Sequence, residues 1–139
     1  RGLRILPSSG GRCGRGIYFA NEAAKSGYYV RCSPSGDAIM FLADVALGDS
    51  FPVVGDSSKA QRFSKAPSGF HSTHAIGRTG PPGSGDVTIN ARGTRPKLTL
   101  ATAASVARSH QSAFANDEFV VYDEAQVNLR YLVLLRFSR

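Results

Sequence analysis

Leu129, Tyr131, Val133, Leu135 and Phe137 alternate strictly along the chain, and a period of two is the mark of an extended strand. Ala38 to Gly48 carries the same mark. Ile39, Phe41, Ala43, Val45 and Leu47 fall on one face, and Met40, Leu42 and Ala46 join Asp44 on the other. So continuous an apolar run predicts a strand covered on both sides. Shorter runs at 2–6, 51–54, 87–91 and 119–123 read as further strands. A chain with this pattern has to build sheets, so an all-helical fold is excluded.

Helical signals are few. Asn21 can cap a helix through its side-chain oxygen, and Glu22, Ala23, Ala24 and Lys25 favour helix, so a short helix is predicted over about 22–31. The Ala-rich stretch Leu100 to His110 reads as a second helix. Pro7 to Gly16 and residues 55–86 are rich in Gly, Ser and Pro and read as loops. With 139 residues the chain has the length of one domain, and its reading is α+β with a strand-rich core. No apolar run approaches the roughly 20 residues of a membrane span, so no membrane partner is expected. No signal peptide is evident. An opening Arg1 in place of Met reads as a processed chain or as part of something longer.

Cys13 and Cys32 form no disulfide or metal framework and read as free thiols in an intracellular, reducing compartment. The net charge of +7 is unevenly placed. Residues 59–112 hold Lys59, Arg62, Lys65, Arg78, Arg92, Arg95, Lys97 and Arg108 against a single acid, Asp86. This basic region is expected to favour an anionic partner such as RNA, DNA or an acidic protein face. The alternative is a solvated loop face.

The chemistry-bearing stretch is Gly14-Arg15-Gly16-Ile17-Tyr18-Phe19-Ala20, followed by Lys25-Ser26-Gly27-Tyr28-Tyr29. Aromatic rings, a hydroxyl and a cation beside a glycine pair suit a flat polar ring. Far downstream lies Asn116-Asp117-Glu118-Phe119-Val120-Val121-Tyr122-Asp123. Taken alone, Glu118 reads as a solvated strand edge and Asp117 as a surface acid. His71 and His74 stand at helical spacing but in a loop with no third ligand, so no metal is expected.

In order along the chain come Gly2-Leu3-Arg4-Ile5, the glycine-rich loop, Gly16-Ile17-Tyr18-Phe19-Ala20, Lys25-Ser26 with Tyr29, Val45-Ala46-Leu47-Gly48, His71-Ser72, Gly77-Arg78-Thr79, Glu118 to Asp123, and Ala125-Gln126-Val127. This series resembles the C-terminal half of the catalytic domain of the poly(ADP-ribose) polymerase family. The likeness covers nearly all of residues 1–139 and fades over 87–113.

The resemblance implies an ADP-ribosyltransferase-like fold, mainly antiparallel, whose N-terminal part is missing from this chain. It implies NAD as substrate and transfer of ADP-ribose to an acceptor protein. Glu118 matches the catalytic glutamate, which in the family accompanies chain elongation, so polymer formation is permitted. Tyr18 and Tyr29 match the tyrosines that sandwich nicotinamide, and Ser26 the serine that binds its carboxamide. Gly16 matches a glycine that lets backbone approach the ligand, Arg4 an arginine near the adenosine, and Lys25 a lysine beside the glutamate. Residues 7–14 match the donor-site loop and 55–86 the acceptor side. The family's histidine followed by glycine, upstream of the stretch matching Gly2 to Ile5, has no counterpart, since none of His71, His74 and His110 precedes a glycine. The partner implied is therefore that missing half as well as an acceptor, and the compartment implied is the nucleus. The alternative is a silent module serving as a structural, RNA-contacting part of a ribonucleoprotein such as a mitochondrial ribosome.

Overall fold

The computed structural model describes residues 2–81, 87–88, 97–98, 106–108 and 111–136. In chain order the elements are β1 (Ile17–Phe19), α1 (Ala23–Gly27), β2 (Asp37–Val45), β3 (Ser50–Val53), a 3-10 turn (Ala60–Arg62), β4 (Ser72–Ala75), β5 (Thr79–Gly80), β6 (Val87–Thr88), β7 (Lys97–Leu98), β8 (Val106–Ala107), β9 (Glu118–Val121), a second 3-10 turn (Glu124–Gln126) and β10 (Val127–Arg136). Among the described residues the architecture is sheet-rich with one short helix, in keeping with α+β.

Four strands form one sheet in the order β1-β9-β4-β3, antiparallel except for the parallel pair β3 and β4. The register sets Tyr18 opposite Val120, and Val120 opposite Thr73. Thr73 in turn faces Phe51. Opposed residues share a face. Tyr18, Val120, Ala75, Phe51 and Val53 therefore point into one core, which loop residues Cys13, Ala60, Phe63 and Phe114 close from outside. Burying Phe114, 1% exposed, contributes roughly 1.5–3 kcal/mol. Cys13 is wholly buried and Cys32 exposed, and both are free thiols.

β2 and β10 make a separate two-stranded ribbon. Its register corrects the simple alternation. Leu129 faces Ala43, but Tyr131 faces Leu42, so Arg130 is the extra residue of a bulge. The bulge moves Leu129 to the face of Leu132 and Leu134, opposite Tyr131, Val133 and Leu135. Arg130 itself pairs with Asp44 at 3.3 Å. Nor is the ribbon covered on both sides by the described residues. Leu132 opposes Phe41 and Leu134 opposes Ile39, and these four side chains are 51–68% exposed.

Four smaller expectations change, the first being that residues 55–86, read as a loop, hold β5 and the inner strand β4, on which His74 lies. No strand forms within residues 2–6. The helix is shorter than 22–31, because Gly27 ends it and Tyr28 and Tyr29 continue as a turn. Its N-cap is Glu22, without a side-chain cap, and Asn21 turns its amide elsewhere. Within the stretch read as an Ala-rich helix, Val106–Ala107 is a strand paired with Thr79–Gly80, and tertiary pairing overrides propensity there. Residues 100–105 and 109–110 lie outside the described residues, as do 89–91 of the strand expected at 87–91.

Gly16 shows why a glycine is needed beside β9. A Cβ there would stand 2.6 Å from both Val120 Cγ1 and the Val121 carbonyl oxygen. Gly16→Ala is expected to destabilise the protein by about 1–3 kcal/mol through overpacking, read as a fall in the urea unfolding midpoint.

Candidate active site

Glu118 opens β9, with its side chain 13% exposed. Lys25 on α1 reaches it, Nζ to Oε1, at 2.6 Å, and is itself 18% exposed. The Lys25 ammonium also sits 5.4 Å above the ring of Tyr29. Burial alone would lower the Lys25 pKa, but the hydrogen bond to Glu118, that carboxylate's charge and Tyr29 reverse the direction and raise it.

Tyr18, Ser26 and Tyr29 surround this pair in different ways. Tyr18 shares the sheet face of Glu118, two residues diagonal from it. Its hydroxyl donates to the Gly14 carbonyl at 2.6 Å and accepts from the Cys13 N–H at 3.1 Å. Burial, joined by weaker contributions from Cys13, Tyr122 and Glu118, drives this phenol far above its ordinary range. The Tyr18 hydroxyl is therefore taken up, and its ring packs half-buried against the core. Tyr29 is 76% exposed and offers an open ring face. The Ser26 hydroxyl bonds to no described residue, although its carbonyl accepts the Tyr29 N–H at 3.0 Å and so shapes the turn between them.

The end of the 7–14 loop is fixed by the same aromatics. Tyr122 donates its hydroxyl to the Cys13 carbonyl at 2.7 Å, so the peptide groups of Cys13 lie between two phenols. Burial pushes the Tyr122 phenol up to about 12 and the Cys13 thiol up to about 11, the thiol being further raised by the charge of Glu118. Arg12 adds a bond to Asp56 at 2.6 Å and lies 4.0 Å over the ring of Phe114.

Two family-matched residues stand in other surroundings. Gly16 is pressed against β9, so the close approach it allows is to a strand. Arg4 pairs with Glu124 at 2.7 Å, and the same carboxylate accepts the Ile5 N–H at 2.8 Å. Ile5, Lys65, His71, Tyr122 and Glu124 help line a cleft of about 510 Å³ that includes neither Glu118 nor Lys25. The two histidines separate. His71 accepts the Asp49 N–H at 3.1 Å, while His74 stacks on Phe119 at 4.4 Å.

Asp117 is the residue that sequence reasoning missed. It is 1% exposed, not a surface acid. Arg108 spans its two oxygens at 2.7 and 2.8 Å, the Gly77 N–H reaches it at 2.9 Å and the Asn21 amide at 3.1 Å. Desolvation would raise its pKa, but the bonds from Arg108, Gly77 and Asn21, with His74 nearby, hold it at about 2 against an ordinary 3.8. Arg108 is thus tied inward, away from the basic face expected over 59–112.

A glutamate held by a lysine thus opens an inner strand of the sheet, on the helix side that carries Ser26 and the exposed ring of Tyr29. The profile of the poly(ADP-ribose) polymerase catalytic domain matches residues 1–137, and the chain belongs to that family. It is 39% identical over 98% of its length to "Protein mono-ADP-ribosyltransferase PARP3" of Gallus gallus and 36% identical over 95% to the Homo sapiens protein of that name. It is 35% identical over 99% to "Poly [ADP-ribose] polymerase 1" of Xenopus laevis. The chain spans 25% of the length of the two PARP3 relatives and 13% of the third.

The depressed pKa of Asp117 makes a prediction about acid. A carboxyl whose folded pKa lies below its unfolded value stabilises the fold above the unfolded value, and that stability is lost as pH falls through the folded one. Urea unfolding between pH 5 and pH 2 is expected to show the wild type losing about 2 kcal/mol more than Asp117→Asn. Equal losses would show that Asp117 titrates normally.

Proposed function

We propose that this chain is the catalytic-strand half of an NAD-dependent ADP-ribosyltransferase, carried on an ADP-ribosyltransferase-type fold. The observation that carries the reading is the 2.6 Å Lys25–Glu118 pair beside Tyr29 and Ser26. Membership of the family supports it.

In this reading NAD is the substrate, and nicotinamide lies against Tyr29 and Tyr18 with its carboxamide at the Ser26 hydroxyl. The carbon–nitrogen bond to the ribose breaks, and nicotinamide leaves with the bonding pair, which neutralises its ring. Positive charge builds on the ribose carbon, as in other glycosyl transfers. Glu118, fixed and charged, stabilises that charge and accepts a hydrogen bond from the ribose hydroxyl. The acceptor oxygen or nitrogen attacks the same carbon and gives up its proton to solvent. Lys25 holds the carboxylate in place through their ion pair. Arg4 and the 7–14 loop serve the adenosine end, and 55–86 the acceptor side. Glu118 permits polymer formation. The higher identity to relatives named mono-ADP-ribosyltransferase favours short products. We place the protein in the nucleus, with a protein acceptor.

The uncovered face of Ile39, Phe41, Leu132 and Leu134 supports a second part of the proposal. That face is covered by the rest of the catalytic domain, which also supplies the adenosine-ribose side of the site. A ribonucleoprotein role is the weaker reading, because it leans on a basic region from which Arg108 has been withdrawn.

Glu118→Gln in the natural full-length protein is expected to lower transfer from labelled NAD about a hundredfold or more, while NAD affinity stays within a few fold. Undiminished labelling would remove Glu118 from the chemistry. Calorimetric titration of NAD into the isolated 139-residue chain is expected to give millimolar affinity or weaker. Micromolar binding would show that the site is complete without a covering segment.

A further inference from the structure

The donors around Asp117 come from three segments distant in the sequence, two of them also joined by the β5–β8 pair. Asn21 precedes Glu22, the N-cap of α1, and α1 carries Lys25 and Ser26. Gly77 follows β4, whose Ala75 is the register partner of Glu118. Arg108 follows β8, and its N–H is bonded to the Arg78 carbonyl at 2.8 Å. The neighbouring Asn116 repeats the arrangement with its amide, which donates to Glu22 Oε2 at 2.5 Å and to Thr79 Oγ1 at 3.2 Å. A Cβ at Gly77 would overlap the Asn116–Asp117 peptide, so these backbones are in direct contact. On the next residue but one, Phe119 is stacked by His74, whose Nε2 stands 3.2 Å from Asp117 Oδ1 without donating to it.

We propose that Arg108 and Asp117 form a positioning clamp that sets the distance between Glu118 and Lys25. Neither residue touches substrate; both act through Glu118, so the inference rests on the function proposed above. A guanidinium that spans both carboxylate oxygens fixes rotation as well as distance. Asp117 is one residue from Glu118, so the clamp fixes the entry of the backbone into β9. Its bond to Asn21 fixes the start of α1 against the same point. The two ends of the 2.6 Å ion pair are thus referred to one buried carboxylate. A displacement of about 1 Å at a reacting carboxylate is enough to cost about a hundredfold in rate. The clamp also accounts for a basic side chain in the 59–112 region that faces inward at 33% exposure.

The test uses the natural full-length protein and reads kcat and KM for transfer from labelled NAD, per molecule folded by thermal melt. Arg108→Gln is expected to lower kcat about tenfold or more while KM for NAD moves less than about threefold, the pattern of a lost transition-state interaction. Arg108→Lys, which offers one point of charge, is expected to lower kcat by about threefold. Combined with Lys25→Met, Arg108→Gln should cost less than the product of the separate losses, because both disturb one carboxylate. A merely structural role predicts a normal kcat per folded molecule and independent losses, and either result overturns the clamp. Should Arg108→Gln fail to fold, Arg108→Lys decides alone, and a wild-type kcat there refutes the proposal. Glu118→Gln run alongside separates the two failures: full transfer by that variant removes the proposed function, whereas its loss beside an unaffected Arg108→Lys removes only the clamp.

Discussion

A carboxylate taken out of water has to be met by donors on every side, since an unpaired buried charge costs several kcal/mol against the 5–15 or so that hold a domain together. Asp117 meets this with donors from Asn21, Gly77 and Arg108, none near another in the chain. Satisfying one side chain therefore gathers three turns: the entry to α1, the bend after β4 and the strand end after β8. They converge on the residue before β9, an interior strand of the four-stranded sheet, between β1 and β4. The interaction least tolerant of error thus lies at the head of the strand that carries Glu118.

A second set of bonds works on the core side of that sheet. The peptide groups of Cys13 are held between the hydroxyls of Tyr18 and Tyr122, and Tyr122 also shares a bond with Thr73 at 2.9 Å. This joins the end of the 7–14 loop to β1, β4 and the residue after β9. Burial keeps the thiol and both phenols neutral. Cys13 and Tyr18, both coupled electrostatically to Glu118, thus add no charge beside its ion pair with Lys25.

Much of the site is legible in the sequence because its residues come in short, ordered runs. Lys25, Ser26 and Tyr29 lie on one helix and its following turn, and Tyr18 and Glu118 lie on paired strands, so local order carries over into space. Asp117 and Arg108 are not legible. An acid between Asn116 and Glu118 has every local sign of a solvated turn, and its partner lies nine residues away in a stretch that reads as an Ala-rich helix. What buries it is three-dimensional: a missing side chain at Gly77 that lets two backbones touch. Gly16 is legible only in part for a related reason. Its need for space was plain, but only the fold shows that a strand occupies it.

The ribbon of β2 and β10 illustrates a different limit. Alternation identifies both strands, yet one extra residue, Arg130, reverses which side chains share a face. Its ion pair with Asp44 keeps the bulge at the solvent edge of the pairing. Beyond the bulge, Leu132 and Leu134 join Phe41 and Ile39 on a single apolar face, while Ala38 and half-buried Met40, Leu42, Tyr131 and Leu135 take the other. A two-stranded ribbon has little stability of its own and depends on what packs against its faces. Gln126 ties the ribbon to the rest, its amide reaching the carbonyls of Ala46 at 2.8 Å and His71 at 3.0 Å. The four-stranded sheet is closed by its own loops, whereas the ribbon presents four large apolar side chains outward. An exposed apolar face of this size is unusual for a soluble surface, and the ribbon that bears it follows the site directly in the chain, β9 running past one 3-10 turn into β10.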